Sequence, residues 1–511
     1  MRKAALFAAR TSLNGTLHPG RYHKRMPVAA WPRSLNAFLL AVLLAAAPRA
    51  LPQALPDLGS AGDLVLSPQA ERRIGESVLL DIRRDPAYLD DPEIADYLNT
   101  LGGRLVQANP AARQEFEFFA MRDNVVNAFA LPGGFVGVNT GLINLADTES
   151  ELAAVLAHEV AHVSQRHIAR GLGQEQQMQM PMLAAIAAAV LLGRAHPDLA
   201  SGALVAAQAG AVQTSLAYSR DFEREADRVG LQTLETAGFD PRAMAVFFEK
   251  MQRSMRVSDD SSVPGWLRTH PMTVERIADA QNKAAAMPYR QHVDSLEFHL
   301  VRARLRAESG EPASAVAYFQ SSVKEQRYGS EAAAHYGLAA ALLRAAKSKQ
   351  AAAEVARLRA LGAADPMIDL LDARIKQAAG EREAALALLA KASARYPESR
   401  ALAYAHVSAL QALGRHDDAL AALREALRLR PRDAELYTLQ AQTYAALGKR
   451  LLQHQSQGEA YVLQGNLPGA IDQLQIARSA GDGDFYQLSM VDARLRELRA
   501  RHAEEMRDAR R

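Results

Sequence analysis

The chain has 511 residues, of which 49% are apolar and 23% charged, enough for two or three domains with sizeable cores and too apolar for wholesale disorder. It contains no cysteine, which excludes disulfides, thiol catalysis and cysteine metal ligands. The formal charge of +3 hides an asymmetry: residues 1–54 hold eight basic and no acidic side chains, and without them 52 basic face 57 acidic ones, a net of −5, which excludes nucleic acid as the natural partner.

Aromatics at 6% beside abundant alanine point to helices rather than a β-sandwich. The first element, Leu35 to Ala47, is an apolar run with Arg33 before it and small residues and prolines after it. A membrane-crossing helix takes about 20 residues, so this shorter run reads as the core of an export signal over residues 1–54. Met26 is a candidate start of translation, because 25 residues is a long stretch to precede such a signal. An uncleaved membrane anchor is the competing reading.

Residues 60–285 form a mixed region. The pattern predicts helices around 66–84 and 92–108, then a β-rich stretch from Glu115 to Val138. Pro132-Gly133-Gly134 between two apolar runs predicts a hairpin or tight strand reversal. Helices dominate after residue 148, where Thr148-Glu149-Ser150-Glu151 has the form of a capping box. Leu152, Val155, Leu156, Val160 and Val163 follow at helical spacing and predict a buried face.

His158-Glu159-Val160-Ala161-His162 lies on that helix. Its two histidines are one turn apart, so both imidazoles reach one metal ion, and Glu159 between them is placed to act as general base. The five-residue motif is only moderately specific and needs a third ligand. Gln165 and Ile168 stand where a metzincin has glycine and histidine, so that class is excluded. Glu223 and Asp227, one turn apart in Glu223-Arg224-Glu225-Ala226-Asp227, offer a ligand and a carboxylate to receive a hydrogen bond from a ligand histidine. A solvated charged helix is the bland reading of that segment. His167, five residues past His162, falls about 140° round a continuous helix from the ligand face and reads as structural or exposed.

Pro181 to Gly193 and Leu199 to Val212 are apolar but too short for two membrane spans. They suit a flap over a cleft, a peripheral membrane contact or a buried helix pair. His270, in Arg268-Thr269-His270-Pro271-Met272, sits where proline favours a turn that aims the imidazole at the cleft; a surface or N-cap histidine is the alternative.

Residues 294–500 repeat with a period of 34. Gly380, Ala385, Leu389, Ala392 and Pro397 recur as Gly414, Ala419, Leu423, Ala426 and Pro431, with related sets beginning at Gly310 and Gly465. This spacing resembles tetratricopeptide repeats: glycine turns the chain between paired helices, alanine allows close packing and proline ends the second helix. Ala346 stands where glycine is expected, and the stretch after Gly448 breaks the pattern. Such a solenoid binds polypeptide on its concave face. The arginines of the tail alternate with glutamates and read as a solvated helix face.

His158 to His162, Glu223 to Asp227 and Asn127-Ala128-Phe129-Ala130-Leu131-Pro132-Gly133-Gly134 together resemble the peptidase family that includes the CAAX prenyl protease type 1. The export-like leader, lack of multiple spans and C-terminal repeats resemble its periplasmic members. The resemblance implies a mainly α protein, with a zincin-like metallopeptidase domain of helices and a small β-sheet followed by the repeat solenoid. It implies one Zn²⁺ per chain held by His158, His162 and Glu223, with Glu159 as base, and it selects Glu223 over Glu225. It also implies that Asn127, Ala128 and Phe129 begin a substrate-binding edge strand. His270 then approaches the metal, either as a fourth ligand that keeps the enzyme latent or as an oxyanion stabiliser. Implied substrates are misassembled outer-membrane β-barrel proteins, and implied partners include the barrel-assembly machinery. A chaperone or scaffold acting through the repeats is the rival function.

Overall fold

A computed structural model describes residues 66–174, 220–257, 266–267 and 270–508. The leader with its export-signal reading, Met26 and the apolar segment 181–212 lie outside these residues. Helix α1, Pro68–Arg84, is capped by the Ser67 side chain, and α2, Pro92–Ala108, by Asp91, which accepts from the Glu93 and Ile94 amides. Both begin with proline, whose missing N–H costs nothing in a first turn. Four strands, β1 Tyr88–Leu89, β2 Glu117–Met121, β3 Ala128–Leu131 and β4 Phe135–Asn139, form a sheet in the order β1-β2-β4-β3.

The expected reversal is present. β3 and β4 pair antiparallel across Pro132–Gly134, and β4 then runs parallel to β2. Gly134 has φ of 99°, and a Cβ there would lie 2.1 Å from the Glu115 carbonyl oxygen, so only glycine fits the turn. β3 is an edge strand. The Asn139 amide bonds to the Asn127 carbonyl at 2.9 Å, so by antiparallel alternation Asn127, Phe129 and Leu131 bond to β4. The backbone groups of Ala128 and Ala130 then point to the outer edge.

After α3, Thr140–Leu145, comes α4, Glu149–Ser164, in which every residue from Glu149 to Val163 is buried. Half of the expected capping box forms. Thr148 Oγ1 accepts from the Glu151 amide at 3.2 Å, while the Glu151 carboxylate takes the Asp147 amide and Lys250 Nζ. Around α4 pack α2, the sheet, α6 Arg220–Ala237 and α7 Arg242–Val257, with α5 His167–Gln174 following it directly and α8 Val274–Ala286 closing against α6 and α7. Gly230 brings α6 close: a Cβ there would meet the His158 amide nitrogen at 3.3 Å.

From Leu296 the chain is a tetratricopeptide-type solenoid of antiparallel helices, α9 Leu296–Glu308, α10 Pro312–Lys324, α11 Glu331–Arg344, α12 Ser348–Ala360, α13 Pro366–Ala378, α14 Arg382–Arg395, α15 Arg400–Ala412, α16 His416–Leu429, α17 Ala434–Ala446, α18 Arg450–Leu463, α19 Leu467–Arg478 and α20 Phe485–Asp508. Gly310, Gly380, Gly414 and Gly448 turn the chain within pairs at positive φ, and Ala346 takes the same conformation at 57° without glycine's freedom. The missing motif after Gly448 does not interrupt the helices, because α18 packs on both α17 and α19. Gly465 falls between pairs, half a period out of phase, yet Ala470, Leu474 and Ala477 are as buried as their counterparts.

The solenoid shares a core with the mixed region rather than hanging from a linker. Ser295 caps α9 and donates through Oγ to Glu149, in the first turn of α4, at 2.6 Å. Arg304 on α9 is buried between Asp91, Glu93 and Glu308, and Arg400 on α15 pairs with Asp96. No helix among the described residues is long and apolar enough to cross a membrane. Arg304→Ala takes the only side-chain cation the structure places on buried Asp91 among the described residues and leaves Glu93 with Arg374 alone, at 3.2 Å, so it is expected to destabilise the fold by about 3–5 kcal/mol. Thermal unfolding by circular dichroism checks this, and a melting temperature within a degree of the parent contradicts it.

Candidate metal centre

The site begins with the geometry of α4. One turn separates His158 from His162, and both rings lie on the side covered by α6, where Glu223 sits in the first turn. His270 follows Trp266 by a backbone bond of 2.8 Å from its amide to the Trp266 carbonyl. Trp266 in turn bonds through its amide to the Val126 carbonyl, just ahead of the edge strand. One ligand-type atom from each of His158, His162, Glu223 and His270 lies within 4.8 Å of the others, and all four residues are buried.

Individual distances show how tight the cluster is. His162 Nε2 is 3.0 Å from His158 Nε2, and His270 Nδ1 is 3.3 Å from His158 Nε2 and 2.9 Å from Glu223 Oε1. Glu223 Oε1 lies 3.4 Å from His162 Nε2. Three imidazole nitrogens and a carboxylate facing one point bring lone pairs together with too few protons to share among them. A cation satisfies all four at once, so the donor set fits a metal ion.

Charge around the cluster is ordered. Asp227 Oδ1 lies 3.0 Å from His158 Nδ1, and Arg276 forks onto Asp227 with Nε and Nη2 both at 2.8 Å. Arg276 Nη1 also sits 2.7 Å from Glu223 Oε2. Burial works against ionised Glu223 and Asp227, but the neighbouring histidines and Arg276 outweigh it and hold both below the usual carboxylate range. Burial also pulls His158 down, yet Asp227 and Glu223 push it up to about 9, while burial holds His162 well below the ordinary histidine range.

Glu159 is fully buried beside the cluster. Its Oε1 accepts from Trp266 Nε1 at 3.0 Å and lies 3.5 Å from His270 Nε2, and Oε2 has no hydrogen-bond partner among the described residues. Asn127, Ala128 and Phe129 stand at the start of β3 and outside the donor cluster. Ala128 packs on the α4 side of the sheet and Phe129 on the α1 side.

Of the two readings of His167, structural or exposed, the exposed one is corrected, and so is its placement about 140° from the ligand face. α4 ends at Ser164, and Arg166 takes φ of 53°, so the wheel drawn past His162 does not apply. His167 starts a new helix, is fully buried, and brings Nδ1 to 2.8 Å from His162 Nδ1. Burial lowers its pKa to about 4 despite Glu225. Trp266 and Arg276 were also invisible at the level of motifs. The only signal for Trp266 was its rarity, one of two tryptophans, four residues before His270. Nothing in the sequence marks Arg276.

In chelator-treated protein His158 carries a proton below about pH 9, and a metal must displace it. Apparent metal affinity is therefore expected to rise about tenfold per pH unit from about pH 6 to 8 and to level off above about 9. Competition with a chromophoric chelator measures this, and affinity independent of pH across that range contradicts it.

Residues 92–284 match the model of Peptidase family M48. The beta-barrel assembly-enhancing protease of Escherichia coli (strain K12) is 32% identical over 453 residues, 87% of this chain and 91% of its own. A Vibrio cholerae relative is 38% identical over 252 residues, 49% of this chain, so the chain spans about half of it, 52%. The mitochondrial metalloendopeptidase OMA1 of Arabidopsis thaliana is 29% identical over 221 residues, 43% of this chain and 42% of its own. On the breadth of the Escherichia coli match, the chain belongs to peptidase family M48 and is a metal-dependent peptidase.

Proposed function

We propose that the chain is an exported zinc endopeptidase of the periplasm that cuts misfolded or misassembled polypeptides. Residues 60–285 carry the peptidase and 294–500 the repeats. The observation that carries this reading is the convergence of His158, His162 and Glu223 on one buried point with Glu159 beside it. Asp227 orients His158 from behind. Zinc rests on ligand type, since imidazoles with a carboxylate also suit cobalt and manganese.

When bound, Zn²⁺ supplies Lewis-acid polarisation of the scissile carbonyl and acidifies a water molecule. Glu159 takes the water's proton at Oε2, while the Trp266 indole on Oε1 fixes the plane of its carboxylate. The proton then passes to the leaving amine, and no covalent enzyme intermediate forms. An extended substrate pairs with the outer edge of β3 through the backbone of Ala128 and Ala130.

His270 fits the role of a fourth donor that keeps the enzyme latent. Its ring spans from Glu223 to Glu159, in the space that water and substrate need. The name of the Escherichia coli relative supports outer-membrane barrel assembly as the setting, with the assembly machinery as partner. The closed His270 position also favours a second reading, in which the repeats act as a scaffold and cleavage is occasional.

Casein cleavage and metal content of the purified protein separate these readings. Glu159→Gln is expected to keep one zinc per chain and lose about 10²–10⁴-fold in rate. His270→Ala is expected to raise cleavage; a loss of about 10²–10³-fold instead assigns His270 to the oxyanion. Full assembly function in the glutamine variant favours the scaffold. Ala130→Pro removes one outward N–H and no ladder bond, and is expected to lower kcat/KM for extended peptides about 3–10-fold. An unchanged kcat/KM contradicts substrate pairing on β3.

A further inference from the structure

The two helix histidines are held from behind by different means. His158 Nδ1 meets the Asp227 carboxylate, the usual anchor for a ligand imidazole. His162 Nδ1 meets another imidazole, His167 Nδ1, at 2.8 Å. His167 Nε2 then lies 3.2 Å from Glu225 Oε2, and the same oxygen accepts from Arg170 Nη1 at 2.9 Å. The His167 ring stacks on Phe222 at 4.7 Å with 15° between planes. His167 and Arg170 come from α5, Phe222 and Glu225 from α6. None of these residues belongs to the ligand set or acts as base.

Proton counting gives this chain a direction. The ionised Glu225 carboxylate only accepts, so His167 Nε2 carries a hydrogen. An imidazole that turns its Nε2 lone pair to the donor cluster, as His162 does, carries its hydrogen on Nδ1, and His167 Nδ1 at 2.8 Å is then the acceptor. The hydrogen between the two Nδ1 atoms therefore belongs to His162, and His162 Nε2 presents its lone pair to Glu223, His158 and His270. Glu225, rejected as a ligand, has a separate use.

We propose that His167 and Glu225 are positioning residues for His162, fixing through the chain His162 Nδ1–H to His167 and His167 Nε2–H to Glu225 the tautomer and ring orientation that metal binding requires. The arrangement differs from a direct carboxylate anchor in one respect: the imidazole between them reaches across the gap left where α4 ends and α5 starts. It rests on the ligand set proposed above.

The test compares parent protein with His167→Phe, His167→Asn and Glu225→Ala by zinc dissociation constant, by visible absorption of the Co²⁺-loaded form and by melting temperature in chelator. Phenylalanine keeps the stack on Phe222 and removes the acceptor, and is expected to weaken zinc about 10–100-fold and shift the Co²⁺ bands. Asparagine places Oδ1 where Nδ1 was and is expected to return affinity to within about 3-fold of the parent. Glu225→Ala is expected to weaken zinc about 3–10-fold. Parent-like affinity and spectrum in folded His167→Phe overturn the chain while leaving the ligand set intact, and asparagine no better than phenylalanine overturns it too. Should His167→Phe fail to fold, unchanged affinity in Glu225→Ala overturns it. A parent protein that binds no metal overturns the ligand set and the chain with it.

Discussion

Everything in the peptidase follows from a helix that carries two histidines and a glutamate through the centre of an apolar core. His158, Glu159 and His162 are at most 1% exposed, and burying such groups costs several kcal/mol each unless their charge and hydrogen bonds are met locally. The surroundings of α4 are the answer to that constraint. α6 brings Glu223 and Asp227, α8 brings Arg276 to hold them, and the chain before α8 brings Trp266 and His270. Positive and negative groups alternate outward from the donor cluster, so a divalent cation completes the pattern.

The same constraint explains why the repeats are not a loose attachment. The first turn of α4 must be fixed for the histidines to keep their register, and Glu149 there is held by Tyr97, His292 and Ser295. Ser295 is the cap of the first solenoid helix, so the repeat array begins at the foot of the catalytic helix. Farther along, Gly465 packs on Leu80 of α1, so the solenoid returns to the peptidase.

Local chemistry made much of this legible. The cap at Thr148, the apolar period of α4, the H-E-x-x-H spacing and the Glu223–Asp227 pair lie within single helices, where one residue's position determines its neighbour's face. The Pro-Gly-Gly reversal and the turn glycines of the solenoid were legible because left-handed backbone demands glycine. Ala346 and Arg166 show the limit: each takes that conformation without the residue that announces it. At Arg166 this cost the reading of His167, whose position depends on a break that nothing in the sequence signals. Trp266 and Arg276 act across distant segments, and the union of the solenoid with the mixed region depends on buried ion pairs such as Arg304 with Asp91. Pattern alone contains no information about such pairings.

X-ray absorption at the zinc edge on the stoichiometrically loaded protein reads the ligand set of the buried cluster. Coordination by His158, His162, Glu223 and His270 gives a shell of four nitrogen and oxygen neighbours at about 2.0–2.1 Å with the outer scattering of three imidazoles. A six-coordinate oxygen shell without imidazole scattering, or failure to retain one zinc per chain, would contradict it.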